Sequence, residues 1–196
     1  MKNKTKKRIG CIGFSANPPQ VGHLRIAQIL LSRNIVDEVW MIPCGEHKFK
    51  KNLMPKEHRW EMAKLMERPR IVAKDFEIQH KGKSFTINTL RNLEQKFPTY
   101  EFISVLGTDH FTNGEHKNWK EWDYLEKNEK FIVIPRAGYP LGDGEKINHL
   151  QIVDMGDIPV SSTQVRDKLK KGECVKGFIL PEIAEYIEYH KLREIL

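Results

Sequence analysis

The sequence predicts an α/β protein: one doubly wound parallel sheet with helices on both faces. Three observations lead there. Apolar runs of strand length alternate along the chain with stretches whose apolar residues recur at helical spacing. Several of those runs are apolar at consecutive positions, as strands covered on both faces require. No Pro-, Gly- or Ser-rich linker divides the 196 residues, a length that suits about one domain.

The elements follow in order. Residues 8–14 form an apolar run ending in small residues. The turn Asn17-Pro18-Pro19 leads from it into Leu24, Ile26, Ile29 and Leu30, which share one helix face. Residues 38–43 (EVWMIP) read as a second strand, followed by a basic loop and a helix over about 56–66. Strand-like pieces occupy 71–78, and Ile87, Leu90 and Leu93 mark a helix over 86–97. Residues 100–106 (YEFISVL) and 130–134 (KFIVI) are the most apolar strands, and 150–155 is another short one. A helix from about 162 to 170 is stopped by Gly172, and Pro181 opens the last helix at a favoured first-turn position. A sheet of this kind binds ligands at the carboxyl ends of its strands.

Composition narrows the function classes. Hydrophobic residues make up 39% and charged residues 30%, which places the chain among ordered globular proteins. The apolar stretch after the basic N-terminus is broken by Ser15, Asn17 and two prolines, so neither a secretory signal nor a membrane span is expected. Three widely spaced cysteines (Cys11, Cys44, Cys174) without a CxxC pairing suit a reducing cytoplasm and argue against a disulfide scaffold or cysteine zinc site. The net charge of +7 owes much to Lys2, Lys4, Lys6, Lys7 and Arg8; without these five, 28 basic residues face 26 acidic ones. Residues 1–8 therefore read as a basic flexible tail on a nearly balanced domain of residues 9–196, and nucleic acid is not the expected partner. His58, His80, His116, His149 and His190 have no spacing that argues for a site and read as surface residues.

Two segments carry chemistry. GFSANPPQVGH (13–23) sits where the first strand meets the first helix. Gly13 and Ser15 let the backbone turn closely, Gly22 lets an anion approach the helix start, and His23 stands in the first turn, where free N–H groups and the helix dipole favour phosphate. A plain strand–helix turn with a capping histidine is the alternative. SSTQVR (161–166) places Ser162 or Thr163 as a helix cap, with Thr163 and Arg166 on one face. Hydroxyls, backbone N–H groups and a guanidinium would make a second polyphosphate cradle; an ordinary capped helix is the alternative.

Together these segments resemble the nicotinate/nicotinamide-mononucleotide adenylyltransferases of the HxGH nucleotidylyltransferase superfamily. Further pieces match in order: SFTINTL (84–90), LGTDHF (106–111), Trp119, FIVIPRAGYPL (131–141) and the closing LPEIAEYIEYHKL. The resemblance implies a Rossmann-like domain that moves AMP from ATP to a pyridine mononucleotide and releases pyrophosphate, in NAD synthesis. His23, with Gln20 as helper, would hold the α-phosphate as the catalytic pair. Gly13, Phe14, Ser15, Gly22, Gly107, Asp109, Ser162, Thr163 and Arg166 would complete the ATP site, the Gly107–Asp109 pair at the ribose. Lys48, Thr86, Trp119 and Arg136 would serve the mononucleotide. Mg²⁺ would arrive mainly with ATP, since no DxD or HxxxH cluster offers a protein-held metal site. The family forms several assemblies, so an oligomer is compatible with the reading.

The chain departs from the family at Phe14 (usually Gly), Ala16 (aromatic), Asn17 (Asp) and Gln20, which replaces the first His of HxGH. Gln donates a hydrogen bond but carries no charge. Two rival readings stay open on sequence: another superfamily enzyme, such as a phosphopantetheine adenylyltransferase or a cytidylyltransferase, and a catalytically weak nucleotide-binding protein.

Overall fold

The computed structural model describes residues 6–46, 53–140, 149–156 and 159–195. Its six strands are β1 (Lys7–Phe14), β2 (Glu38–Pro43), β3 (Ile71–Ala73), β4 (Tyr100–Gly107), β5 (Lys130–Ile134) and β6 (Leu150–Ile152). They lie in the order β3-β2-β1-β4-β5-β6 with every pairing parallel. This is the doubly wound order, and the chain reverses its direction of travel across the sheet between β1 and β4. The crevice beyond the carboxyl ends of those two strands is where the topology puts a ligand.

Strand side chains alternate between two cores, as the period of two requires. Ile12 and Phe14 of β1, Val39 and Met41 of β2, and Ile103 and Val105 of β4 enter a largely aliphatic core with α1 (Val21–Ser32), α2 (Lys56–Lys64), α6 (Ser162–Lys170) and α7 (Pro181–Tyr189). Ile9 and Cys11, Trp40 and Ile42, and Phe102 face the other way, onto an aromatic-rich core with α4 (Thr86–Lys96) and α5 (Trp122–Asn128). A four-residue α3 (Phe76–Gln79) links β3 to α4. Each face is thus covered, and the consecutive apolar residues of the strands are explained. Among the described residues no helix is long and apolar enough to cross a membrane.

The structure corrects four expectations. Lys7 and Arg8 belong to β1 rather than to a tail; Lys7 pairs with Glu38 at 2.5 Å and Arg8 with Asp37 at 2.8 Å, so their charge anchors the first strand to the start of the second. The 71–78 stretch is a strand only at 71–73, because the chain turns into α3 once it passes the sheet edge. The 150–155 strand pairs only at 150–152, although Val153 and Met155 remain buried in the aliphatic core. His116, expected at the surface, is 1% exposed and packs edge-on against Trp122, ring centroids 4.6 Å apart. It lies in a 3-10 turn (Thr112–Asn118), whose spacing carries no amphipathic signal to read.

Candidate active site

A cavity of about 680 Å³ opens at the ends of β1 and β4, within the size range of ligand pockets. It brings together Gly13, Phe14, Ser15, Gln20, His23, Thr86, Asp109, Trp119, Arg136, Ser162, Thr163 and Arg166 from the expected site. Gly22 and Gly107 are not part of its wall. Lys48 lies outside the described residues.

The first phosphate segment is built by α1. Gln20 is its N-cap, with its side chain accepting from the N–H of Gly22, while His23 Nδ1 accepts from the N–H of Gln20 at 3.2 Å. The N–H of Val21 reaches the Phe178 carbonyl at 2.9 Å. The leading N–H groups of α1 are therefore engaged within the protein, and Gly22 does not open the helix start to an anion as expected. The physical reason is Gln20, whose amide is long enough to fold back onto its own helix. What this leaves for a phosphate is the side chain of His23. With Nδ1 accepting, the neutral ring carries its proton on Nε2, and the Phe14 ring, 4.7 Å away and tilted by 50°, supports the imidazole from the end of β1. Burial, and secondarily the Arg136 guanidinium, lower the His23 pKa to about 4, so the ring is a neutral donor at physiological pH.

The second segment is built by α6. The N-cap is Ser161, in a capping box with Gln164, rather than Ser162 or Thr163. One residue earlier than expected, the cap releases both following hydroxyls. Ser162 Oγ donates to the Pro18 carbonyl at 3.0 Å. The Arg166 guanidinium donates to Thr163 Oγ1 at 3.0 Å and to the Asn17 carbonyl at 3.0 Å. The predicted Thr163–Arg166 face is therefore real, and it is bolted to the first segment across more than 140 residues of sequence.

At the end of β4, Asp109 Oδ2 accepts from Arg136 Nη1 at 2.7 Å. Its other oxygen, Oδ1, is buried without a hydrogen-bond partner, an acceptor suited to a ligand hydroxyl. Gly107 makes this possible: a Cβ there would meet Asp109 Oδ1 at 2.2 Å and Arg136 Cδ at 2.6 Å. Opposite, Thr86 is the first residue of α4, whose N-terminus has no side-chain cap and no acidic residue in its first turn. Trp119 borders the crevice and makes T-shaped contacts with His110 and Trp122, ring centroids 5.6 and 6.0 Å apart. It is thus anchored in the aromatic core while remaining part of the crevice wall.

Two contributors carried no sequence signal. Arg59 is 2% exposed and donates to the carbonyls of Met54 (3.0 Å), Ser15 (3.0 Å), Cys44 (2.5 Å) and Gly45 (2.8 Å). It stitches the ends of β1 and β2 together beneath the cavity. Glu77 of α3 borders the cavity and accepts from Thr89 Oγ1 at 2.7 Å. A buried arginine in a polar helix, and a glutamate in a four-residue one, look in sequence like ordinary surface charge. Among the described residues no three His, Cys, Asp or Glu side chains converge on a point that could hold a metal ion.

Residues 12–168 match the cytidylyltransferase-like family. A protein of Shouchella clausii named probable nicotinate-nucleotide adenylyltransferase is 33% identical over 190 residues, covering 95% of this chain and 96% of its own length. One of Anaeromyxobacter dehalogenans with the same name is 34% identical over 194 residues, covering 95% and 96%. The chain belongs to the nicotinate-nucleotide adenylyltransferases, within the cytidylyltransferase-like family. It is a nucleotidyltransferase with a Rossmann-like α/β fold. A Plasmodium falciparum nicotinic acid mononucleotide adenylyltransferase, solved in complex with NaAD, shares that fold with a TM-score of 0.84 at 23% identity, over 97% of this chain and 98% of its own.

Proposed function

We propose that this protein is a cytoplasmic adenylyltransferase that transfers AMP from ATP to nicotinate mononucleotide, making the dinucleotide and releasing pyrophosphate. The observation that carries the proposal is the bolting together of α1 and α6: Arg166 and Ser162 bond to the carbonyls of Asn17 and Pro18, so two phosphate-binding segments form one cradle. A phosphate oxygen of the mononucleotide attacks the α-phosphorus of ATP, and the bond to the bridging oxygen of pyrophosphate breaks. Such a transfer needs positioning and neutralisation of spread charge rather than a covalent intermediate. His23 donates Nε2–H to the α-phosphate, Gln20 holds that ring in place, and Thr163 and Arg166 grip the leaving phosphates. ATP enters as its Mg²⁺ complex, so the ion belongs to the substrate, with the phosphate oxygens as its principal ligands. Asp109 Oδ1 takes a ribose hydroxyl, and the open Cα of Gly13 lets phosphate come close to the backbone.

For the acceptor, the uncapped start of α4 at Thr86 supports an acid over an amide. Backbone N–H groups and the positive helix end favour a carboxylate there, with Trp119 stacking on the ring. Lys48 is assigned to the acceptor phosphate from the resemblance alone. Assaying dinucleotide formation with ATP and either pyridine mononucleotide tests the proposal. The nicotinate compound should be used at least about tenfold more efficiently, the size of one charge-assisted contact. Equal use would remove the role given to α4, and absence of product from either would remove the proposed activity.

Arg166→Ala gives a second check. Loss of a charge-assisted contact to the leaving phosphates should raise the KM for ATP by roughly tenfold or more, with the mononucleotide KM changed by less than about threefold. Steady-state kinetics with each substrate varied in turn measure this. Equal losses for both would make Arg166 only the bolt between α6 and Asn17.

A further inference from the structure

Where the acceptor side of the crevice is built, one carboxylate ties three otherwise separate pieces together. Glu77 on α3 accepts from Thr89 Oγ1 of α4 at 2.7 Å and is hydrogen-bonded to the Ser84 side chain. Ser84 Oγ in turn accepts from the N–H of Gly45 at 3.0 Å, just beyond β2, so its proton is directed to the carboxylate. The backbone repeats the link, for the N–H of Ser84 bonds to the Glu46 carbonyl at 3.0 Å. Gly45 lies so close to α3 that a Cβ there would meet the Glu77 carbonyl oxygen at 2.2 Å. Thus the start of α4 and the start of the basic loop are held to one another through a single carboxylate that borders the cavity.

We propose that Glu77 is a positioning residue for the acceptor mononucleotide: its carboxylate, by accepting from both Ser84 and Thr89, sets the start of α4 against the loop that follows β2. The inference rests on the assignment of that side of the crevice to the acceptor. It requires the ionised form, because a carboxylate only accepts, and accepts strongly, whereas a protonated carboxyl, like an amide, also turns a donor toward these hydroxyls. Partial burial raises the carboxyl pKa of Glu77, opposed by its two hydroxyl partners and by His80. The charged and titratable groups around it are His80 beside its own helix, Lys83 in the following loop, the Cys11 thiol of β1, and Lys56 of α2, whose Nζ is bonded to the Ile78 carbonyl. None of these replaces the two hydroxyl links.

The test compares wild type with Glu77→Gln by titration calorimetry, using nicotinate mononucleotide and a non-hydrolysable ATP analogue. Near pH 7.5 the variant should bind the mononucleotide on the order of tenfold more weakly, and the ATP analogue within about twofold of wild type. As the pH is lowered into the acid range the gap should narrow, because wild-type Glu77, its pKa raised by burial, takes up a proton while the amide of the variant does not titrate; ionisation of the ligand phosphate affects both proteins alike and drops out of the comparison. No gap near pH 7.5, equal weakening of both ligands, or a gap constant with pH would each overturn the proposal. Binding is read independently of turnover, and dinucleotide formation by wild type is assayed beside it. Product without a gap sinks the role of Glu77 alone; a gap without product sinks the proposed activity alone; no mononucleotide binding at all sinks both.

Discussion

Replacing His23 by alanine is expected to leave the fold standing and to lower turnover by a factor on the order of 10² or more, the cost of losing one preorganised donor to a phosphoryl transition state. The fold should survive because His23 contributes to α1 only as an acceptor for the Gln20 N–H, while the cap itself is made by the Gln20 side chain. The effect should fall on kcat more than on either KM, since the contact tightens as charge builds on the α-phosphate. Rates within about threefold of wild type would remove His23 from the chemistry. The neutral ring has a second consequence. With its pKa lowered to about 4 by burial and by Arg136, His23 resists protonation in the folded protein while an unfolded chain accepts it near 6.5. Its contribution to stability is therefore fully present above about 6.5 and is lost as pH falls from there toward about 4. Denaturation midpoints of wild type and His23→Ala should follow different slopes across that window and run parallel above it. Bound triphosphate, being negative, draws the imidazole pKa back upward.

Arg59→Ala is expected to destabilise the protein by about 3 kcal/mol, among the largest effects of any single substitution. Four carbonyls, of Met54, Ser15, Cys44 and Gly45, lose their donor at once, and the ends of β1 and β2 lose the stitch that joins them beneath the cavity. At roughly 1 kcal/mol net per bond, some recovered by entering water, the sum sets this magnitude. Arg59→Lys should recover only part of it, since one ammonium has three donors and no planar fork. Urea unfolding followed by circular dichroism measures both. A shift below about 1 kcal/mol for the alanine variant would mean that water replaces the guanidinium freely.

Periodicity and end signals carried most of the fold. β2 and β5 lie where their apolar runs place them, and α6 and α7 begin at Ser162 and Pro181 as read. Burial on both faces is written directly into consecutive apolar residues, and a helix start is written into the residues that satisfy its N–H groups. The legible part of the site was of the same kind. His23 at a helix start and the Thr163–Arg166 pair at a spacing of three are local facts, and local facts survive folding.

What the sequence by itself determined, then, is the alternation of strands and helices, the two phosphate segments, and a family resemblance carried by motifs in order. Tertiary structure alone decided the rest. Strand order put β1 beside β4 and so created the crevice. A one-residue shift of the α6 cap to Ser161 freed the Ser162 hydroxyl to reach Pro18. Arg59 and Glu77 became structural centres only because carbonyls and hydroxyls from distant segments converge on them. The physical reason is common to these. A propensity or a spacing belongs to a few neighbouring residues, whereas the partner of a buried polar group is chosen by which segments the packed sheet brings within about 3 Å of it.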